Sequence, residues 1–273
     1  MQLWTWKTSQ DRPFLTCDLL PVAHGFFTSH FYPHGPEDLV SVLEAQVSSP
    51  ASVHRVKQVH SGDVLKPTEI EQAVLGGLPQ MENGTQAPFP LADGIVTENP
   101  YQSVWACSAD CTPALIADAK TGQVAAVHAG WRGTAQQILP AAILKMQAQG
   151  SCIADLRVAL GPAIDGVVYQ VKRKVAAEVG STVLPGDRDF SEDEAIAHLL
   201  SIENPPLLTD LAEDRVRLDV RRINQMQLIQ MGIAPEHIAI APHCTYQEPN
   251  RFFSYRRTQE KKVQWAGIVS DEL

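Results

Sequence analysis

Apolar residues occur mostly in short runs along this chain, and their spacing predicts a mixed α/β protein. Residues 3–20 contain two strand-like runs, whereas the apolar spacing of residues 36–47, with Pro at the start, predicts a helix. Residues 52–60 alternate well enough to predict a strand that ends at His60. Residues 66–90 contain four Pro and three Gly, which favours a long loop with at most one helical turn.

The middle of the chain is rich in continuous apolar runs, which are typical of buried strands. Strands are expected at residues 92–97, 103–108, 114–118, 123–128 and 156–162. The third and fourth of these are joined by a short segment containing Gly, so they predict a hairpin. A helix is expected from Thr134 to about Gln149, with a kink at Pro140.

The last third predicts helices at residues 171–180 and 218–232, the second ending at Gly232. An acidic stretch at 186–194 lies between them, and late strands are expected at 237–243 and 263–269. No internal repeat or linker interrupts the sequence. A single domain spanning residues 1–273 is therefore expected.

The overall charge narrows the choice of partners. The formal net charge is −9, so attraction to a phosphate backbone is not expected and nucleic acid is an unfavourable partner. No apolar run has the length of a membrane span, and the N-terminal residues lack the pattern of a signal peptide. Five cysteines without regular spacing argue against a disulfide framework and favour reduced thiols in the cytoplasm.

Two polar residues at predicted strand ends are candidates for chemistry. Cys111 follows a strand and precedes a proline, and His128 ends the second strand of the predicted hairpin. His128 leads into a loop bracketed by Gly130 and Gly133, which lets backbone approach a ligand closely at the start of a helix. Cysteine and histidine are zinc ligands, and a third ligand such as His60 would leave one coordination position open, as in catalytic sites.

Spacing alone leaves other interpretations open. A single Cys at a strand end is usually a small buried apolar residue, and a single His is usually a hydrogen-bonded structural residue. The glycine-bracketed loop alternatively forms a tight turn with an exposed Arg132, and Asp110 alternatively caps a turn. The convergence of His60, which is remote in sequence, does not follow from spacing.

Seven motifs occur in an order that resembles the YfiH/YlmD family, formerly called polyphenol oxidase or laccase domain proteins. They are KQVHSGDV, ADGIVT, SADCTPALIAD, VAAVHAGWRGTA, ALGPAI, LDVRRINQMQL and FFSYRRT. The resemblance extends from about residue 22 to near the C-terminus. The chain departs from the family pattern at Ser61, where Gly is usual, and in the segments SHFYPHGPEDL and TQEKKVQWAG.

The resemblance implies a fold, a metal site and an activity. The fold is a layered α/β/β/α sandwich with mixed sheets, and the metal ligands correspond to His60, Cys111 and His128. The activity is phosphorolysis of purine nucleosides (adenosine, inosine, S-methyl-5′-thioadenosine, with guanosine as a further candidate), and adenosine deamination has also been attributed to the family. Zinc is the usual metal, and copper has been claimed. A monomer or a homodimer is expected.

For phosphorolysis, phosphate needs a positively charged binding site. Gly130, Arg132 and Gly133 are candidates to hold it. Arg256, with its neighbour Arg257, is a further candidate, and the alternative for these two arginines is a solvated surface role. Asp110 is a candidate for proton transfer. Zinc deaminases of the nucleobase class use H-x-E and P-C-x-x-C motifs, which are absent here, so deamination would need a different arrangement.

Three rival functions remain. A cysteine hydrolase would use Cys111 as nucleophile and His128 as base. A copper-dependent phenol oxidase is disfavoured, because the nine histidines include no His-x-His pair. The third rival is a zinc-binding protein without enzymatic activity.

Overall fold

The computed structural model describes residues 3–81, 84–186 and 190–272, and in these ranges the chain forms three β-sheets and eight α-helices. The strands are β1 (Trp4–Ser9), β2 (Arg12–Cys17), β3 (His24–Phe27), β4 (Ser52–His54), β5 (Val64–Leu65), β6 (Gly94–Val96), β7 (Gln102–Ser108), β8 (Thr112–Asp118), β9 (Val124–Ala129), β10 (Leu156–Leu160), β11 (Gln170–Lys172), β12 (Leu207–Thr209), β13 (Arg215–Leu218), β14 (Ile238–Ile240) and β15 (Gln264–Val269). The helices are α1 (Pro36–Glu44), α2 (Pro67–Gly76), α3 (Trp131–Ala135), α4 (Ile138–Gln147), α5 (Arg173–Ser181), α6 (Glu192–Ser201), α7 (Val220–Gln230) and α8 (Tyr255–Thr258).

Two six-stranded sheets pack face to face and form the central layers. The first has the strand order β1-β2-β3-β15-β7-β4, and the second has the order β14-β10-β8-β9-β6-β5. Both sheets contain parallel and antiparallel pairs. Leu15, Phe26 and Ile268 from the first sheet share one buried core with Leu115 and Ala126 from the second. Burial of this apolar surface is the main force that holds the two sheets together.

Helices cover the outer faces of both sheets. Leu43 of α1 packs with Phe27 of the first sheet. Ile143 of α4 and Leu228 of α7 pack with Ile116 of the second sheet. This arrangement confirms the α/β/β/α layers that the resemblance implied.

A third sheet, with the order β11-β13-β12, was not predicted. It forms its own core with α5 and α6, to which Val179, Leu199 and Val216 contribute. The predicted helix at residues 171–180 corresponds to α5. Of the acidic stretch, residues 187–189 lie outside the described part of the chain, and its last residues form the start of α6.

The predicted hairpin is confirmed as β8 and β9, which pair antiparallel. His128 lies in β9, one residue before its end, and Cys111 lies in the turn between β7 and β8. Gly232 has a φ of 95°, a left-handed conformation that favours glycine, and it follows α7 as predicted. The strands predicted at 92–97 and 237–243 are present but shorter.

Two predictions in the first third were wrong. The strand predicted to end at His60 ends at His54, and His60 lies in a loop with a left-handed φ of 64°. The long loop predicted for residues 66–90 contains α2. Its start is stabilised because the Glu69 carboxylate accepts the Lys66 backbone N–H at 2.7 Å, while Lys145 of α4 donates to the same carboxylate at 2.6 Å.

The single helix predicted after His128 is two helices. Helix α3 begins at Trp131 rather than Thr134, and Gln137 interrupts the backbone with a φ of 56° and a ψ of 44°. Pro140 lies in the first turn of α4, where a backbone N–H would have no partner within the helix. The predicted kink at Pro140 is therefore wrong, and the break lies three residues earlier.

Two further observations concern the chain as a whole. Within the described residues, no helix has both the length and the apolar content needed to span a bilayer. All five cysteines are free, as expected for reduced thiols.

Candidate functional site

The only cluster of potential metal ligands found among the described residues consists of His60, Cys111 and His128. One donor atom from each residue lies within 4.8 Å of the other two. The two histidine rings meet edge to face, with centroids 4.9 Å apart. The fold therefore brings together the three predicted ligands, including His60, whose position did not follow from spacing.

The register of the β8–β9 hairpin places Cys111 beside the loop that follows His128. Thr112 pairs with Ala129, so the residues flanking this pair, Cys111 and Gly130, are neighbours. A Cβ at Gly130 would come within 2.8 Å of the Cys111 Sγ. Any side chain at Gly130 would therefore occupy the space next to the thiol.

A buried carboxylate connects the two histidines. The Asp93 Oδ1 lies 2.7 Å from the His128 Nδ1, and both side chains are almost fully buried. The Asp93 Oδ2 accepts the Val59 N–H at 3.0 Å, the Ser61 N–H at 2.8 Å and the Ser61 hydroxyl at 3.2 Å. Val59 and Ser61 flank His60, so a single carboxylate orients the His128 ring and fixes the loop that carries His60.

The loop that carries His60 also contacts helix α3, which follows strand β9. The Gln136 side-chain amide donates to the His60 carbonyl at 3.3 Å and accepts the Gly62 N–H at 3.1 Å. A Cβ at Gly133 would lie 3.2 Å from the Ser61 carbonyl oxygen. Gly133 therefore permits the close approach of α3 to this loop, a structural contribution beside its predicted role near phosphate.

The three groups strongly change one another's proton affinity. Burial raises the pKa of the Cys111 thiol, but the neighbouring His128 charge and hydrogen bonds from both histidines lower it to about 6. Burial lowers the pKa of His128, but the Cys111 charge and the Asp93 hydrogen bond raise it to about 10. Burial also raises the pKa of Asp93, and the His128 contact holds it below its usual value. Without a metal, Cys111 and His128 are thus an ion pair near neutral pH.

The donor set fits a zinc ion. Zinc binds thiolate and imidazole at about 2.0–2.3 Å, which separates the ligands of a tetrahedral site by about 3–4 Å. The cluster needs only a small closure to reach that spacing, since its donor atoms already lie within 4.8 Å of one another. The Asp93 contact is the additional hydrogen bond that a metal-bound histidine usually makes through its second ring nitrogen.

Asp110 precedes Cys111 in a left-handed conformation, with a φ of 97°. Its Oδ1 accepts the Thr245 hydroxyl at 2.7 Å, and its Oδ2 accepts the Arg256 backbone N–H at 2.7 Å. Its carbonyl oxygen accepts the Ile164 N–H at 2.9 Å. These contacts favour an anchoring function, and the proton-transfer role stays a prediction.

A small pocket adjoins the thiol. It is lined by Asp110, Cys111, Gly130, Trp131, Ile164, Tyr169 and Val220. Two guanidinium groups lie over its aromatic residues: Arg132 lies 4.3 Å from the Trp131 ring centroid, and Arg256 lies 4.8 Å from the Tyr169 ring centroid. A larger surface groove lies between the β1–β2 hairpin and α1, but none of the three clustered ligands lines it.

The three predicted arginines differ in the hydrogen bonds that their guanidinium groups donate within the protein. Arg132 is exposed, and none of the described residues accepts a hydrogen bond from its guanidinium group. Arg256 donates to the Gln170 carbonyl at 2.9 Å. Arg257 donates to the backbone carbonyls of Thr245, Tyr246 and Phe252. The Arg257 guanidinium group is therefore bound to the protein's own backbone, and its role in phosphate binding stays a prediction.

Sequence reasoning missed two residues of this site. Asp93 has a recognisable signal, because a carboxylate beside an apolar strand is buried only when it has a partner. Tyr169 has no such signal, since nothing in its local sequence links it to Cys111. The third sheet, which follows it directly in the chain, was not predicted.

Comparison with known proteins supports the resemblance. The family described as multi-copper polyphenol oxidoreductase laccase matches residues 37–270. A Synechocystis sp. protein named purine nucleoside phosphorylase is 51% identical over 269 residues, covering 98% of this chain and 97% of that protein. Bacillus subtilis YlmD, which has the same enzyme name, is 31% identical over 170 residues, covering 62% of this chain and 55% of YlmD. A protein named adenosine deaminase, from an unknown prokaryotic organism, is 30% identical over 172 residues, covering 63% of this chain and 59% of that protein.

Solved structures support the fold. The crystal structure of Geobacillus stearothermophilus YlmD superposes with a TM-score of 0.74 at 24% identity, covering 98% of this chain and 99% of that chain. Bacillus licheniformis YfiH superposes with a TM-score of 0.73 at 22% identity, covering 97% and 99%. On the extent of the family match and the identity to the Synechocystis protein, this chain belongs to the multi-copper polyphenol oxidoreductase laccase family, the YfiH/YlmD family.

Proposed function

We propose that the protein is a purine nucleoside phosphorylase that holds one zinc ion with His60, Cys111 and His128. The observation that carries the proposal is this three-ligand cluster, in a chain 51% identical to a protein named purine nucleoside phosphorylase. Its substrates are phosphate and adenosine, inosine or S-methyl-5′-thioadenosine, with guanosine as a further candidate. The ion is zinc rather than copper, because the cluster has the donor types and number of a catalytic zinc site.

In this reaction a phosphate oxygen attacks the sugar C1′, the bond from C1′ to the purine nitrogen breaks, and its electron pair leaves with the purine. The purine takes up a proton, and the other product is the sugar 1-phosphate. A bound zinc ion supplies a Lewis acid and lowers the pKa of its bound water.

The chain itself supplies the binding groups. Arg132, exposed beside the cluster, is suited to bind the phosphate dianion, and Arg256 lies at the other aromatic wall of the same pocket. Gly130 leaves the space next to Cys111 open for substrate. Asp93 holds the His128 ring with Nδ1 toward the carboxylate, which leaves Nε2 available to the cluster.

The proposal is tested by incubating zinc-loaded protein with adenosine, with and without phosphate, and separating the products. Adenine and ribose 1-phosphate should form only with phosphate. Cys111→Ser should abolish the reaction, whereas Cys152→Ser, at an exposed cysteine outside the cluster, should preserve it. Absence of phosphate-dependent adenine release from fully loaded wild-type protein would refute the proposal.

Adenosine deamination is a second candidate, favoured by the relative named adenosine deaminase. The same incubation distinguishes it, because deamination yields inosine and ammonia without phosphate.

A cysteine hydrolase is a third candidate, since Cys111, His128 and Asp93 are arranged as a nucleophile, a base and an orienting carboxylate. Alkylation with and without chelator separates it from the zinc site. Ligation protects Cys111 from the alkylator only when zinc is present, and labelling unaffected by metal would contradict the zinc site.

Two further rivals are weaker. A multicopper phenol oxidase needs several copper sites, whereas the described residues offer one cluster of three ligands. A zinc-binding protein without activity predicts bound zinc and no product in any of these incubations.

A further inference from the structure

Tyr169 lies beside the ligand cluster, and its hydroxyl makes no hydrogen bond to any residue that the structure describes. It lines the pocket that Cys111 and Asp110 also line, immediately before strand β11 of the third sheet. Within the described ranges, no side-chain or backbone group hydrogen-bonds its hydroxyl. Tyrosine hydroxyls usually have such a partner, so a hydroxyl without one, on a residue that lines the pocket, is available to a ligand.

Arg256 contacts one face of the Tyr169 aromatic ring. The Arg256 guanidinium lies over it at 4.8 Å and donates to the carbonyl of the next residue, Gln170. The Arg256 backbone is fixed in turn by the Asp110 carboxylate. Asp110, the residue before Cys111, therefore fixes the arginine that lies over the Tyr169 ring. The hydroxyl itself has no hydrogen-bond partner among the described residues.

Two guanidinium groups lie over aromatic residues that line this pocket, Arg132 over Trp131 and Arg256 over Tyr169. At the hydroxyl, the Arg256 and Arg132 charges favour an anion, whereas the Cys111 and Asp110 charges oppose it. A tyrosine hydroxyl carries its proton at neutral pH, so it can donate a hydrogen bond to an anion that the two guanidinium groups bind. In a chain with a net charge of −9, such a local pair of guanidinium groups marks a place where a small anion is favoured.

We propose that Tyr169 is a substrate-binding residue whose hydroxyl donates a hydrogen bond to phosphate, between Arg132 and Arg256. This inference rests on the proposed phosphorolysis and identifies the phosphate side of that site. Purine stacking is disfavoured as its role, because Arg256 covers one face of the ring.

The test compares Tyr169→Phe with wild-type protein, both zinc-loaded. Titration calorimetry with inorganic phosphate should show affinity lowered about tenfold or more, as expected for loss of a hydrogen bond to a charged group. In steady-state assays the KM for phosphate should rise by a similar factor, while kcat at saturating phosphate, the KM for adenosine and the zinc content stay the same. Tyr255→Phe, at an exposed tyrosine of α8 that does not line the pocket, is the matched control and should behave as wild type.

The outcomes separate this inference from the proposed function. Unchanged phosphate affinity in an active Tyr169→Phe protein overturns the inference and leaves the phosphorylase proposal standing, as does a rise in the KM for adenosine alone. If wild-type protein binds phosphate through Tyr169 but releases no adenine, the inference stands and the proposed function fails.

Discussion

The two histidines of the cluster are held in opposite ways. His128 lies inside strand β9, is 4% exposed and is hydrogen-bonded to a buried carboxylate. His60 is exposed, lies in a loop with a left-handed backbone and is positioned by hydrogen bonds that its neighbours make. His128 is thus buried inside a strand, and the loop that carries His60 is connected to it through Asp93. Removing them should have different consequences for the protein without metal.

The largest expected effect separates the two histidines directly. His128→Ala should abolish zinc binding and lower the free energy of unfolding of the metal-free protein by about 3–5 kcal/mol, because the Asp93 charge stays buried without its partner. His60→Ala should also abolish zinc binding but change that free energy by less than about 0.5 kcal/mol. Metal analysis and urea unfolding in the presence of chelator measure both. Equal destabilisation by the two variants would contradict the comparison.

The pH dependence of Cys111 labelling also tests the difference between His60 and His128. In metal-free protein the thiol should react half-maximally at about pH 6, since its pKa is lowered to about 6. The thiolate persists down to that pH and is lost below it, so at pH 7 the reactive fraction is about a hundredfold larger than for a thiol with the usual pKa near 9. His128→Ala should move the midpoint to higher pH by more than His60→Ala does. Iodoacetamide labelling followed by mass spectrometry measures this, with exposed Cys152 as internal reference. A midpoint near 9 in wild type would contradict the ion pair.

The connection between the two histidines is tested at Asp93. Asp93→Asn should weaken zinc affinity about 10- to 100-fold, because one side of the amide cannot accept the hydrogen bonds that both carboxylate oxygens accept. Competition with a fluorescent chelator measures the affinity. Asp118→Asn, at a buried aspartate that is the last residue of β8, is the control and should bind zinc as wild type does.

The smallest effect is expected at Ser61, one of the positions where the chain departs from the family pattern. Ser61→Ala removes one hydroxyl contact to Asp93, at 3.2 Å, and leaves both backbone contacts in place. Zinc affinity should fall by about three- to tenfold. A loss as large as that of Asp93→Asn would show that the hydroxyl, rather than the backbone, holds the His60 loop.

The elements that the sequence predicted well are those with local causes. The β8–β9 hairpin follows from two apolar runs around a short connection, and α7 follows from helical spacing with Gly232 at its end. The break at Gln137 was not predicted, because Pro140 is the residue of that segment whose type favours a kink. Pro140 lies in the first turn of α4, where proline is tolerated. Helix α2 was missed because the Pro and Gly residues of the segment 66–90 favoured a loop, although Pro67 is tolerated at the start of a helix. Part of the stability of α2 also comes from a contact with Lys145 of α4.

For the site, the amino-acid sequence was sufficient to predict Cys111 and His128 as candidate ligands at neighbouring strand ends, because strand pairing is a short-range consequence of the hairpin. The positions of His60 and Tyr169 depend on the tertiary structure. It brought His60 to the cluster from a loop, through the two-sided hydrogen bonding of Asp93, and it placed Tyr169 beside Cys111 through the third sheet. Both depend on contacts between segments far apart in the chain, and no local pattern of apolar and polar residues encodes such contacts.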